Sequence, residues 1–571
     1  MNEPPLIVQT DRTVLLETQH PQYEAARDRL ARFAELEKSP EYVHFYRITP
    51  VSIWNAAALG ESVDGVVDWL VANSRFPIVP TVLAQLREWF RRYGLLRLFA
   101  AGGGTLRLEC DEEGLLAKLA ENVVLRDLVV VDEDGRCVVA EEQRGALKQA
   151  LVKLGYPVDD RAGYRTGTEL AFSLRTPRSP GHPLEPTFAL RDYQREAAAA
   201  FHAGGSDRGG CGVVVLPCGA GKTVVGIAAM NLLQTNTLVL TTNTVAVRQW
   251  CREILDKTEL HEEQVGEYTG EHKQIRPVTV ATYQILTHRK GKLDGFTHLD
   301  LFDRGGFGLI IYDEVHLLPA PVFRATAGIQ ARRRLGLTAT LVREDGRADE
   351  VFSLIGPKRF ELPWKQLERA GYLAPAQCSE VRVPLSEARG ARYAAAGARS
   401  QIRIAADNEL KVDVVGALLE LHSKDRVLVI GQYLEQLQQL ATVFRLPLIT
   451  GQTPNVDRER MYAAFRRGDL PRLIVSKVGN FAVDLPDANV AIQVSGTFGS
   501  RQEEAQRLGR VLRPKTDGGS ASFYTLVSAD TREQEFAQKR QLFLTEQGYA
   551  YAITAAQDVL HAAAARREAR A

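Results

Sequence analysis

Short apolar runs of four or five residues recur through the second two thirds of the chain, each followed by a stretch with helical spacing. Val213–Leu216, Thr237–Thr241, Val278–Thr282, Gly308–Tyr312 and Arg334–Leu337 form one series. Arg426–Ile430, Leu446–Ile449, Arg472–Val475, Val490–Val494 and Ser522–Leu526 form a second. Runs that are apolar throughout, not alternating, belong to strands covered on both faces, so each series predicts a doubly wound parallel sheet. The first third reads differently. Leu6–Glu17 alternates like a pair of short strands, and helical stretches follow at about 49–58, Val63–Ser74 and Pro80–Tyr93. Two apolar segments, Leu95–Phe99 and Leu106–Cys110, then flank Gly102-Gly103-Gly104. Three helices and a hairpin is the order of a winged-helix module. From Glu113 to Leu174 a Leu-rich helix (Leu115–Leu119), an apolar strand (Leu125–Val131) and a helix near Ala140–Leu154 predict a small α/β unit.

The clearest seam is Thr176–Thr187, where Pro177, Pro180, Pro183 and Pro186 recur every third residue. That is the polyproline II repeat of a semi-rigid spacer; an irregular Pro-rich loop or a proline-rich ligand segment is the other reading, and each makes a boundary. The expected division is a winged-helix-like module over 1–112, a small α/β domain over 113–175, the linker at 176–187, and sheet domains over 188–370 and 371–555. The Ala/Arg-rich stretch at 556–571 is expected to be a solvated tail.

Composition narrows the class. Of 571 residues 45% are hydrophobic and 25% charged, which describes a globular chain with several cores. The net charge of +1 divides into −4 over residues 1–180 and +5 over the remainder, so neither part demands nucleic acid. The six cysteines are scattered with no Cys-x-x-Cys pair, as expected of reduced, buried thiols in a cytosolic protein. No apolar run approaches the ~18 residues that span a bilayer. Met1-Asn2-Glu3-Pro4-Pro5 has neither the charge nor the apolar core of a signal peptide, so a cytoplasmic protein with no membrane partner is expected.

The chemistry begins at Pro217-Cys218-Gly219-Ala220-Gly221-Lys222-Thr223, between the strand Val213–Leu216 and the helical run Val224–Met230. Gly219 and Gly221 let backbone N–H groups turn inward around a phosphate, and the helix start adds its dipole. Lys222 is placed as a cation for terminal phosphates and the Thr223 hydroxyl as a magnesium ligand. Leu216 stands where the strict phosphate-loop pattern has glycine. A second signature, Ile311-Tyr312-Asp313-Glu314-Val315-His316, ends the apolar strand Gly308–Tyr312, and ligands of open α/β sheets sit beyond such carboxyl ends. Asp313 suits magnesium and Glu314 suits a base for the attacking water, against capping of the next helix. His316 reads equally as a core histidine and as a coupling residue. Leu337-Thr338-Ala339-Thr340 closes the next strand with hydroxyls able to relay the state of the acidic pair. Gln194, in Leu190-Arg191-Asp192-Tyr193-Gln194, can match the N6 and N7 edge of adenine, or simply lie on the surface. In Gln506-Arg507-Leu508-Gly509-Arg510-Val511-Leu512-Arg513 the last two arginines fall on one helix face. They are fingers for the γ-phosphate if the sheet domains close, and a solvated basic face otherwise.

Together these stretches resemble a superfamily 2 helicase and, more narrowly, the XPB family of DNA repair helicases of prokaryotic type. Leu190–Gln194, Leu216–Thr223, Tyr312–His316, Leu337–Asp345 and Glu504–Arg513 carry the match, supported by Ser476–Pro486, Phe543–Tyr549 and Leu6–Asp11. The resemblance implies two RecA-like motor domains, ATP and Mg2+, and an ATP-dependent 3′→5′ DNA helicase or translocase in nucleotide excision repair. A DNA-stimulated ATPase acting as a conformational switch is the alternative. It places Arg191, Gln194, the loop 217–223, Asp484 and Gln506 at ATP, with Lys222, Glu314, Arg510 and Arg513 catalytic. Arg343, Glu344 and Asp345 resemble the family's unwinding motif. Arg248, Thr282, Gln284, Gln432 and Thr450 are candidate contacts to DNA, expected to be mainly to phosphate, though such positions also cap helices. The resemblance also implies a thumb-like insertion at about 380–407, a damage-recognition role for the small domain, and a repair nuclease as partner.

Overall fold

Every residue of strand β10 (Cys211–Val215) is buried, and its side chains sort by parity into two cores. Val213 and Val215 join one cluster with Leu238, Leu240 and Tyr312, while Val214 joins the other with Val239, Ile311 and Leu335. A strand apolar at every position is what two covered faces require. The computed structural model describes residues 3–40, 42–132, 136–175, 188–206, 209–217, 219–286, 288, 298, 301–317, 332–339, 348–372, 374–476, 488–496, 520–546, 549 and 551–569.

The first seven-stranded sheet is parallel and contains β10, β11 (Thr237–Thr241), β12 (Val265–Tyr268), β13 (Val278–Thr282), β14 (Leu309–Asp313), β15 (Arg333–Thr338) and β16 (Lys358–Glu361). Its spatial order is β12-β13-β11-β14-β15-β10-β16. The second, also parallel, contains β17 (Ala376–Val383), β18 (Val427–Gly431), β19 (Leu448–Ile449), β20 (Arg472–Ser476), β21 (Val490–Gln493), β22 (Ala521–Ser528) and β23 (Tyr551–Ala555). Their order is β19-β20-β18-β21-β22-β17-β23. These are the two RecA-like sheets. Trp364 and Leu367, on the helix Trp364–Arg369 between them, share a core with Cys378, Phe523 and Tyr549 of the second sheet domain.

Upstream, β1 (Leu6–Val8) and β2 (Thr13–Glu17) pair in a four-stranded antiparallel sheet with β3 (Glu35–Lys38) and β4 (Val43–Arg47). The helices Pro50–Ala58, Val63–Asn73 and Pro80–Arg92 follow. The hairpin of β5 (Leu96–Gly102) and β6 (Thr105–Cys110) does not serve as their wing. It pairs with β8 (Cys137–Ala140) and β9 (Val158–Asp160), and β7 (Val130–Val131) completes a five-stranded sheet. Leu96, Leu98, Leu106 and Leu108 bury against Cys137, Val139, Leu147 and Leu151, so the structural seam falls before Leu95 and not at 112. The expected strand Leu125–Val131 is cut to Val130–Val131, because Leu125 and Val129 turn in to the core.

On the helix Pro80–Arg92, Arg91 is held by Glu88 and Glu112, and Arg92 by Glu88 over the Tyr156 ring. Three further readings change. Residues 164–175, assigned to the small domain, lie along the first sheet domain, with Thr168 N on Gly306 O (2.8 Å) and Arg175 N on Lys257 O (2.9 Å). Residues 380–383 of the expected insertion are strand β17; its two helices are Glu387–Ala395 and Ala398–Ala406. The tail is a helix, Ala556–Glu568, whose Val559 and Ala563 pack on Leu410–Leu421. Its alanines permit close helix approach, which composition alone disguises as solvation. The Pro-rich segment 176–187 lies outside the described residues.

Candidate nucleotide and nucleic-acid site

Because all strands of the first sheet run parallel, their carboxyl ends lie on one edge, and the loop after β10 opens there. Gly219 (φ 81°) and Gly221 (φ 78°) take left-handed backbone, and the helix Lys222–Leu233 begins at once. A Cβ on Gly221 would stand 2.6 Å from Gln194 Nε2, so glycine is required there on two counts. Three groups fix the loop from below. Tyr193 OH donates to Ala220 O (2.8 Å), Gln194 Nε2 donates to the same carbonyl (3.1 Å), and Ala220 N donates to Pro217 O (3.2 Å). Gln194 is buried and its Oε1 accepts from Arg191 N (3.0 Å). The surface reading of Gln194 is therefore corrected, and its amide supports the loop.

Lys222 Nζ lies 3.4 Å from Glu314 Oε1, joining the loop to the end of β14. Glu314 has φ 52°, a left-handed conformation that costs about 1–3 kcal/mol in a non-glycine residue and is typical of functional sites. Burial would raise the Glu314 carboxyl, but Lys222 and then His316 outweigh it and hold it below the usual range. Asp313 goes the other way, up to about 6, through burial and the Glu314 charge. Trp250 Nε1 donates to Asp313 Oδ2 (2.9 Å), and Tyr283 OH donates to Asp313 O (2.8 Å). His316, also buried, places Nδ1 2.5 Å from Thr338 Oγ1 and 3.6 Å from Glu314 Oε2. One paired carboxylate, one carboxylate of raised pKa, a lysine and the Thr223 hydroxyl at a helix N-terminus form a donor set that fits a divalent cation with a polyphosphate.

The candidate nucleic-acid contacts also gather at carboxyl edges. Thr282 ends β13 beside Thr241, and Gln284 Nε2 donates to Thr242 O (2.7 Å). Arg248 is exposed on the helix Thr244–Lys257 and pairs with Glu271 (3.2 Å). On the second sheet, Gln432 follows β18 with its N–H on Ser495 Oγ (2.9 Å), and Thr450 follows β19 in a turn closed by Thr453 Oγ1 (2.9 Å). Cys218, Thr340, Arg343, Glu344, Asp345, Asp484, Gln506, Arg510 and Arg513 lie outside the described residues.

Three family models match: ERCC3/RAD25/XPB C-terminal helicase over residues 367–568, the res subunit of type III restriction enzymes over 187–343, and a helicase conserved C-terminal domain over 6–134. The protein named DNA 3′-5′ helicase XPB from Mycobacterium tuberculosis is 50% identical over 562 residues, covering 98% of this chain and 99% of its own. The chain belongs to the XPB family. A second XPB, from Kineococcus radiotolerans, is also 50% identical, covering 98% of both chains. The XPB/SSL2 helicase/translocase subunit of general transcription and DNA repair factor IIH from Saccharomyces cerevisiae is 31% identical, covering 97% of this chain and 72% of that one.

This XPB-family chain also uses residues that motif reading passed over. Trp250 orients Asp313, yet in sequence it is one Trp in an amphipathic helix and reads as core. Phe188 lines the cleft with Arg191, Gln194, Gly219, Gly221 and Lys257, whose Nζ lies 5.6 Å from its ring. Tyr372, between the sheet domains, meets Tyr193 edge-on at 5.3 Å and lies 4.9 Å under the Arg191 guanidinium. Nothing in the local sequence of Tyr372 signals this; its partners lie about 180 residues away.

Proposed function

We propose that this chain is an ATP-dependent 3′→5′ DNA helicase or translocase of nucleotide excision repair. The observation that carries the reading is the approach of Lys222 to Glu314 at the carboxyl edge of the first sheet. Phosphates of ATP would rest on the N–H groups of the loop 217–223, with Lys222 Nζ turned to the terminal phosphates. Glu314, kept ionised beside Lys222, would orient the attacking water and accept its proton. Thr223 and Asp313 would hold Mg2+, which when bound neutralises charge on the β- and γ-phosphates. Arg510 and Arg513 are proposed as fingers from the second motor domain, worth about 10³–10⁵ in rate. Closure of the two domains on ATP and release after hydrolysis would then move the DNA contacts at Arg248, Thr282, Gln284, Gln432 and Thr450 relative to each other.

The DNA partner would be gripped by phosphate, with little sequence preference. A repair nuclease is proposed as protein partner and the cytoplasm as location; no helix of the described residues is long and apolar enough to cross a membrane. Steady-state hydrolysis with RNA, single-strand and 3′-tailed duplex DNA tests the reading, with strand displacement measured on the last. DNA should stimulate turnover, and Lys222→Ala should abolish it. DNA-stimulated turnover that survives Lys222→Ala would overturn the site.

A further inference from the structure

The N-terminal module touches both motor domains, and the two contacts differ in kind. Toward the first, Trp54 and Asn55 of the helix Pro50–Ala58 are buried. The Trp54 ring lies 5.8 Å from Phe352 on the helix Ala348–Leu354, in a cluster closed by Val152 of the small domain. Asn55 Oδ1 accepts from Lys358 N (2.9 Å) at the start of the edge strand β16. An apolar joint anchored on backbone fixes the module to the first motor domain. Toward the second the hold is polar. The edge strand β3 packs on the helix Arg532–Glu546. It reads Glu-Leu-Glu-Lys, and its one apolar residue, Leu36, belongs to the module's own core. Glu24 Oε2 accepts from Arg369 Nη2 (3.1 Å), and the two side chains are 67% and 60% exposed. Such a pair is screened by salt and contributes little, so it can open at small cost.

Arg369 ends the helix whose Trp364 and Leu367 share a core with the second motor domain. Three residues on, Tyr372 meets Tyr193 and Arg191 beside the phosphate loop. Rotation of the motor domains about the segment between β16 and β17 leaves the buried joint intact and must break the exposed one. We propose that the N-terminal module is a latch: fixed to the first motor domain, it restrains the second through Glu24–Arg369 and the edge of β3, and it lets go when the domains close on nucleotide and DNA. The unliganded chain is thereby held in an arrangement of low turnover. Release of the pair frees the same short segment that carries Tyr372 to the nucleotide cleft. The latch presupposes the closure of the motor domains on ATP proposed above.

In the full chain, Glu24→Arg sets two guanidiniums against each other and should raise ATP turnover without DNA about two- to fivefold, as the loss of an exposed pair allows. The DNA-stimulated rate should stay near that of wild type. Adding Arg369→Glu reverses the pair and should return the basal rate to the wild-type value, a rescue that general damage to the fold would not give. Amide exchange supplies a second readout. With a non-hydrolysable ATP analogue and 3′-tailed duplex DNA bound, β3 should lose protection while the helix Pro50–Ala58 keeps it. A wild-type basal rate in Glu24→Arg, no rescue by the reversed pair, or unchanged protection of β3 would overturn the latch. Any of these alongside loss of turnover in Lys222→Ala refutes the latch alone and leaves the ATP site standing.

Discussion

Trp250 Nε1 donates to Asp313 Oδ2 across 2.9 Å, so the carboxylate that ends β14 is aimed by a ring from a separate helix. The ring fits because residue 226 is glycine: a Cβ there would stand 2.6 Å from Trp250 Cη2. Trp250→Phe loses the donor and also shortens the ring that lies on Gly226. A hydrogen bond to a charged group is worth about 1.5–3 kcal/mol, so turnover should fall about tenfold or more. Thermal unfolding, measured in parallel, should shift by only a few degrees.

Gly221→Ala tests the loop. The new Cβ meets Gln194 Nε2 at 2.6 Å with φ at 78°, so the loop must give way and the KM for ATP should rise at least tenfold. Adding Gln194→Ala removes the clash and leaves the backbone strain. The double variant should therefore recover part of the ATP affinity in the same kinetic assay.

Tyr372 ties the segment between the motor domains to Arg191 and Tyr193, and Tyr193 holds the loop through Ala220 O. The aromatic pair and the cation–π contact are each worth about 1 kcal/mol. Tyr372→Phe keeps both and should behave as wild type. Tyr372→Ala should lose DNA stimulation of hydrolysis several-fold while basal turnover changes little.

Lys411 offers a stability test in the second sheet domain. Its buried ammonium lies 2.8 Å from Glu533 Oε2 and donates to Val494 O at 3.0 Å. Lys411→Ala leaves Glu533 buried without its cation, at a cost of about 3–5 kcal/mol. Lys411→Met with Glu533→Gln should recover most of this. Urea unfolding followed by circular dichroism compares the two.

His44 makes the N-terminal sheet acid-sensitive. Burial, and then Arg27, push its pKa down to about 4, so the folded state binds its proton less readily than the unfolded chain. The stabilising effect is complete above about pH 6.5 and is lost as pH falls toward 4, amounting to about 3 kcal/mol. Tyr23 OH and His44 Nδ1 lie 2.9 Å apart, a contact that Gln can keep without titrating. Amide exchange in β2 and β4 should accelerate between pH 6.5 and 4.5 in wild type, and much less in His44→Gln.

The strands of both sheets were legible wherever the chain is apolar throughout, as in β10, β11 and β18. The strands passed over were those with polar residues on one side. β17 reads Ala-Gln-Cys-Ser-Glu-Val-Arg-Val, and its buried Glu380 is met by Arg382 of the same strand and by Gln541 of a distant helix. The small domain was misdivided for a related reason: a hairpin such as Leu96–Cys110 shows its own pairing in sequence but not the strand that its far edge will meet.

At the candidate site, local spacing alone marked the loop 217–223, the pair Asp313-Glu314 and their order along the chain, because each of these signatures is a run of neighbouring residues. The XPB motifs are of this kind. Tertiary structure decided which distant groups aim them: Trp250 on Asp313, Tyr193 and Gln194 on Ala220, His316 between Glu314 and Thr338. It also decided that the last helix is core. Such facts depend on the packing of segments tens to hundreds of residues apart, and no local pattern of the chain encodes that packing.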